Sequence, residues 1–153
     1  MTAVQRYSSA FSSLAAALVA GVLLCGCQEA PTSPSNNAPF SQVDVREGTG
    51  DAAVSGDVLS VHYTGWFYNA SRPDQKGPQF DSSIGGTAFE FSLGFGEVIS
   101  GWDTGLIGMK VGGLRRLVIP PSLAYGGSRN GSIPPNATLL FEIELLGIAS
   151  DAE

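Results

Sequence analysis

The stretch Thr138-Leu139-Leu140-Phe141-Glu142-Ile143-Glu144-Leu145-Leu146 decides the fold. Leu139, Phe141, Ile143 and Leu145 fall on one side of an extended chain, and Glu142 and Glu144 on the other. That is the two-residue period of a strand with core on one face and water on the other. Working outward, Val54 to Phe67 carries the same period, with Leu59, Val61 and Tyr63 alternating with Ser60, His62 and Thr64. Ala88 to Leu93 places Phe89 and Phe91 on one face. Arg115 to Ile119 reads as a further strand. Pro120-Pro121 ends it, because proline cannot continue a ladder. Only Val98 to Met109 reads as a helix. Its glycines keep it short, and Ser100 is a candidate cap for its first turn. One short helix against an antiparallel sheet gives an α+β domain over residues 42–149. The 20 Gly and 9 Pro fit a fold with many tight turns. No internal repeat is visible.

Before this domain the chain changes character twice. Met1 to Ser9 holds one cation, Arg6, and no acidic residue. Phe11 to Leu24 is uncharged and apolar for about 14 residues, short of the ~20 that a membrane-spanning helix needs. A charged start, a short apolar run and small residues behind it predict an export signal over residues 1–26. The run closes on Leu24-Cys25-Gly26-Cys27, which resembles a bacterial lipobox, with Cys27 as the lipidated residue. Cys25 departs from the usual small residue at its position. Ordinary signal cleavage with a soluble product is the alternative. Gln28, rather than Asp, follows Cys27, and the resemblance then implies the periplasmic face of a Gram-negative outer membrane. Multiple acyl chains on that cysteine would anchor the protein stably, where a single chain would not. Residues 27–41 hold the lipidated cysteine and a Pro-, Ser- and Asn-rich stretch that reads as a disordered tether. It is too short and too Pro-rich for a dimerising helix, so a monomer is expected. Residues 150–153 form a tail.

Composition excludes several classes of function. The 153-residue chain has 8 Lys+Arg against 14 Asp+Glu, a net charge of −6, with no basic cluster. Binding to nucleic acid is therefore not expected. There is 1 His, and both Cys precede the domain. A His/Cys metal site or a Cys-His or Ser-His nucleophilic pair has almost no material, and no cofactor is expected. His62 lies opposite Leu59, Val61 and Tyr63 in strand parity and is expected to face solvent. No disulfide is available to the domain. What stands out is a set of aromatic residues near turns: Tyr63, Phe80, Phe89, Trp102, Tyr125 and Phe141. They can be core, or they can line an apolar pocket with a few polar tips. Asp81 beside Phe80 can be a placed acceptor or a turn residue.

Five segments occur together in order: Val61-His62-Tyr63-Thr64-Gly65, Phe80-Asp81-Ser82-Ser83, Val98-Ile99-Ser100-Gly101-Trp102-Asp103, Leu123-Ala124-Tyr125-Gly126 and Ile133-Pro134-Pro135-Asn136-Ala137-Thr138-Leu139. Through them the domain resembles an FKBP-type peptidyl-prolyl cis-trans isomerase. The resemblance implies a bent antiparallel sheet wrapped around one short helix. It implies Trp102 as a pocket floor, with Tyr63, Phe80, Phe89, Val98, Ile99, Ile133 and Phe141 as walls. It makes the Ile99 N–H and the Tyr125 hydroxyl donors to a substrate, and Asp81 an acceptor held by the Tyr63 hydroxyl. The implied substrates are proline-containing segments of exported proteins, and a rapamycin-type macrolide is a possible ligand. The alternative is a periplasmic chaperone or binding module with the same fold and little turnover. The chain departs from the family in three places. A longer run over Asn69 to Pro78 is expected to place Arg72, Asp74 and Lys76 near the pocket rim. The turn Ile84-Gly85-Gly86-Thr87 lacks an arginine partner for Asp81. The loop after Tyr125 is shorter and carries Ser128, Arg129 and Asn130.

Overall fold

The computed structural model describes residues 36–149. The expected export signal, Cys27, residues 28–35 of the expected tether and the expected tail at 150–153 lie outside the described residues. Six strands form one sheet: β1 (Ser41–Arg46), β2 (Val58–Tyr68), β3 (Lys76–Ser82), β4 (Phe89–Ser92), β5 (Leu114–Ile119) and β6 (Leu139–Ala149). The helix α1 (Ser100–Gly105) lies between β4 and β5, and a single 3-10 turn spans Pro121–Leu123. The strand order is β1-β5-β6-β2-β3, with β4 paired to the other half of β2, and every pairing is antiparallel. The α+β architecture expected from the alternating runs is the one observed.

Alternation explains which face is buried. Leu59 and Val61 of β2, Leu117 and Ile119 of β5, and Leu139, Ile143 and Leu145 of β6 are fully buried. They pack with Trp102, Leu106 and Met109 from α1 and the turn behind it. The helix lies close to the sheet because Gly101 faces it. A Cβ built at Gly101 would sit 2.5 Å from Ile119 Cγ2, well inside contact distance.

The helix is shorter than the expected Val98–Met109. Val98 and Ile99 stay outside it, and Ile99 is extended (φ −61°, ψ 145°). Ile99 occupies the cap position, and no side chain caps the first turn, so Ser100 does not play the expected role. Gly108, with φ +74°, breaks the chain away at the other end. Two strands had no clear sequence signal. β1 is an exposed edge strand, and β3 contains Gly77 and Pro78, which read as loop residues. The last residues of the expected tether belong to the folded part: Phe40 packs on the core and Ser41 opens β1.

The opposite face of the sheet is less simple than water. Leu140 is fully buried there, paired in register with Val118 and Trp66. His62 is half-buried, with Nδ1 3.1 Å from Ser83 Oγ. Lys76 is not at the pocket rim as expected. Its ammonium lies 2.8 Å from Glu142 and 4.2 Å above the Trp66 ring. Glu142 also accepts from Arg116 at 2.7 Å. Burial pushes the Glu142 carboxyl up, but the bonds from Lys76 and Arg116 outweigh it and hold the group below its ordinary value. Asp44 is likewise lowered, chiefly by its hydrogen bonds from Arg115 and against its own desolvation. Both groups have a lower pKa folded than unfolded, so the unfolded chain takes up protons first on acidification. The expected result is a urea midpoint that is flat from neutral pH down to the unfolded Glu value of 4.5 and falls below it. An Asp44→Asn/Glu142→Gln double variant should start less stable and lose less as pH drops. An identical acid slope in both proteins would assign the loss to other groups.

Candidate active site

The concave side of the sheet and the start of α1 enclose a cavity of about 630 Å³, open at its mouth. This is within the range of small-ligand sites. Five strand or helix elements and two loops supply its lining. β2 brings Tyr63, β3 brings Phe80 and Asp81, β4 brings Phe89, and β6 brings Phe141. The segment before α1 brings Val98 and Ile99, and α1 itself brings Trp102. The loop after β5 brings Tyr125 and Ile133. All ten residues singled out in the domain sequence therefore meet at one cavity.

Trp102 is at the base, with 4% of its surface exposed. The aromatic rings around it stand edge-on. Tyr63 lies 5.1 Å away at 79°, Phe141 5.3 Å at 89° and Phe89 6.2 Å at 81°. Phe80 stands on Phe141 in the same way, at 5.6 Å and 88°. Edge-to-face contacts of this kind add about 0.5–1.5 kcal/mol each beyond simple burial and fix ring orientation. Gly65 makes room for two of the walls. A Cβ there would lie 2.7 Å from Phe80 and 2.8 Å from Phe141.

Polar groups line this cavity beside the rings, and those on the walls have distinct states. The Tyr63 hydroxyl donates to Asp81 Oδ2 at 2.7 Å, and the Ser82 N–H donates to Asp81 Oδ1 at 2.8 Å. Burial, reinforced by the adjacent Asp81, pushes the Tyr63 phenol up to about 12, so it remains a donor at any physiological pH. Burial and the Asp81 charge raise the Tyr125 phenol as well. No cation pairs with Asp81 among the described residues. The Ile99 carbonyl is engaged, accepting from the Trp102 N–H at 2.8 Å, while the Ile99 N–H has no partner within the described chain. The Tyr125 hydroxyl is likewise without a partner among the described residues. The Trp102 indole N–H is buried without an acceptor among the described residues.

Five further lining residues were not singled out as site residues: Gly96, Glu97, Asn130, Gly131 and Ser132. The last three belong to a tight turn closed by reciprocal bonds, Asn130 N–H to Ile133 O at 3.1 Å and Ile133 N–H to Asn130 O at 2.8 Å. Gly131 takes φ +55° there. Their one sequence signal is position, since each lies in or within two residues of a quoted motif or loop.

The fold and the site together define a small α+β domain with a pocket walled by aromatic rings and edged by a few hydrogen-bonding groups. The family model for FKBP-type peptidyl-prolyl cis-trans isomerases matches residues 50–146. The chain belongs to that family. It is 48% identical over 107 residues to an FK506-binding protein of Neisseria meningitidis serogroup B, covering 69% of this chain and 92% of that one. It is 44% identical over 135 residues to FK506-binding protein 4 of Neurospora crassa, covering 79% of this chain but 27% of that one. Among solved structures, FkpA from Escherichia coli superposes with a TM-score of 0.63 at 38% identity, over 74% of this chain and 49% of FkpA. AtFKBP13 gives 0.59 at 41% identity, over 72% and 93%. The chain thus spans about a quarter of the Neurospora protein and half of FkpA.

Proposed function

We propose that this protein accelerates rotation about X–Pro peptide bonds in exported polypeptides, without forming a covalent intermediate. The observation that carries the reading is the convergence of a buried indole floor, edge-on aromatic walls and two unpaired donors, Ile99 N–H and Tyr125 hydroxyl, at one cavity.

Chemistry links that geometry to the reaction. An X–Pro bond isomerises unaided in tens to hundreds of seconds. The barrier, about 18–20 kcal/mol for a peptide bond, comes from C–N double-bond character. That character is a charge-separated resonance form, negative at oxygen and positive at nitrogen. Transfer from water to an apolar pocket disfavours the charge-separated planar amide more than the twisted one. Each ~1.4 kcal/mol taken from the barrier gives about tenfold in rate. In this reading the proline ring sits on Trp102 between Tyr63, Phe89 and Phe141. The Ile99 and Tyr125 donors fix the flanking carbonyls so that rotation occurs about one bond. Asp81, held by Tyr63, is the acceptor at the wall. The test is the isomerisation rate of a Leu-Pro peptide with and without a rapamycin-type macrolide. Acceleration that the macrolide blocks is expected. A folded protein with no acceleration would point instead to a binding or chaperone role.

We further infer that the protein is held at a membrane. Lipidation at Cys27 anchors the domain to the periplasmic face of a Gram-negative outer membrane, where it acts as a monomer on newly exported chains. The lipobox-like Leu24-Cys25-Gly26-Cys27 supports this. Cys27→Ser should move the expressed protein from the membrane to the soluble fraction, and mass spectrometry of the wild-type mature N-terminus should show an acylated cysteine. An unmodified start beyond Cys27 would reject the anchor.

A further inference from the structure

Phe95 is the most exposed large apolar residue of the described chain, with 70% of its surface in water. A single exposed phenylalanine needs no explanation in itself. Its mounting is unusual. Gly94 and Gly96 flank it, both with left-handed backbone, at φ +87° and +71°. Asp103 clamps the turn from α1, accepting the Gly94 N–H on Oδ1 at 2.9 Å and the Gly96 N–H on Oδ2 at 3.0 Å. Asp103 directly follows Trp102, so one helical turn carries both the cavity floor and the clamp. The turn is held again on the far side, where Glu97 Oε2 accepts the Ser92 N–H at 2.9 Å. The two residues after Phe95, Gly96 and Glu97, line the cavity.

The ring is therefore held at the surface by a braced turn that runs directly into the pocket wall. We infer that Phe95 is a specificity-determining contact for the polypeptide substrate, taking an apolar side chain a few residues away from the proline. The inference rests on the isomerase reading above. Its occupant follows from continuity with the cavity. An extended chain advances about 3.3–3.6 Å per residue, so a segment leaving the pocket over Gly96 and Glu97 comes level with Phe95 within a few residues. Bracing lowers the ordering cost of the contact, because little of the turn's freedom remains to be lost on binding. The contact also gives the enzyme a preference for unfolded clients, whose apolar side chains are accessible along the chain.

Three synthetic peptides and the full chain test this. One is a Leu-Pro tetrapeptide. Two are longer peptides with the same Leu-Pro centre, whose flanking positions two to five residues on either side carry either leucine or serine. The wild type should show kcat/KM about fivefold higher for the leucine-flanked than for the serine-flanked peptide, the scale of one partial apolar contact. Phe95→Ser should bring that ratio close to one, and Phe95→Leu should keep an intermediate ratio. A ratio unchanged by Phe95→Ser overturns the inference. So does a loss of the same factor on all three peptides, which would mean that the residue acts on the cavity alone. If the wild type accelerates none of the peptides, the isomerase reading itself fails and the inference falls with it, a result distinct from either of the others.

Discussion

Trp102→Ala is expected to lower kcat/KM for a Leu-Pro peptide about ten- to a hundredfold. In the proposed mode the indole is the surface against which the proline ring is buried, and burying an apolar group of that size is worth about 1.5–3 kcal/mol. The same change removes a buried aromatic that touches Tyr63, Phe89, Phe91 and Phe141. Truncations of this kind typically cost about 3–5 kcal/mol of stability. Part of that loss is offset here, because the indole N–H no longer has to be buried without an acceptor. The assay must therefore be run well below the variant's melting temperature, with circular dichroism showing that the fold is kept. Phe141→Ala should behave similarly. His62→Ala should stay within about threefold of wild type, since the imidazole bonds Ser83 on the sheet's other face and is absent from the cavity lining. Full activity in a folded Trp102→Ala protein would remove the apolar pocket from the mechanism.

Arg115→Met is expected to cost about 2–5 kcal/mol of stability, chiefly because it leaves two backbone carbonyls without their donor. Arg115 is 6% exposed and joins three parts of the chain. Its Nε and Nη2 donate to the two oxygens of Asp44 on β1 at 2.6 and 3.0 Å. Its Nη1 donates to the carbonyls of Gly105 at 2.8 Å and Ile107 at 3.1 Å, at the end of α1. Met fills a similar volume but leaves the two carbonyls without this donor and Asp44 without its cation. Asp44 is partly exposed and can take up water, so the carbonyls carry most of the loss. Because α1 also carries Trp102, the variant should lose activity at temperatures where it is still mostly folded. An unfolding free energy within a few tenths of a kcal/mol of wild type would show that the bridge contributes little.

Sequence alone revealed the centre of this sheet better than its margins. β2 and β6 are long, and their alternation is strict where one face meets the core. β1 is an edge strand exposed throughout, so it has no buried face to impose a period. β3 contains a glycine and a proline inside an irregular pairing with β2, and those residues mimic a loop. Leu140 was not expected to be buried, because its face of the strand also carries Glu142 and Glu144. Only the neighbouring strands, which bring Trp66 and Val118 beside it, give that position an apolar setting. Helix length failed for a similar reason. Val98 and Ile99 fit a helical pattern, but they are held extended as cavity wall. The site was legible because the five quoted motifs carry eight of its ten named side chains, and the alternating runs around Phe89 and Phe141 supply the other two. The turn of Asn130 to Ser132 and the pair Gly96 and Glu97 enter the cavity through backbone path, which their residue types do not announce.

The strand order has a consequence for how the site comes into being. The central pair joins β2 to β6, and β1 closes on β5, so strands far apart in the chain must meet before the sheet exists. Such topologies rank among the slower folders, because long loops close before any pairing rewards them. Phe141 reaches Gly65 only through that central pairing. A chain emerging N-terminus first has β2, β3, β4 and α1 in hand before β6, but no completed pocket. The binding site is thus a product of the final closure, and the protein gains its capacity to handle other chains only after its own last strand has arrived.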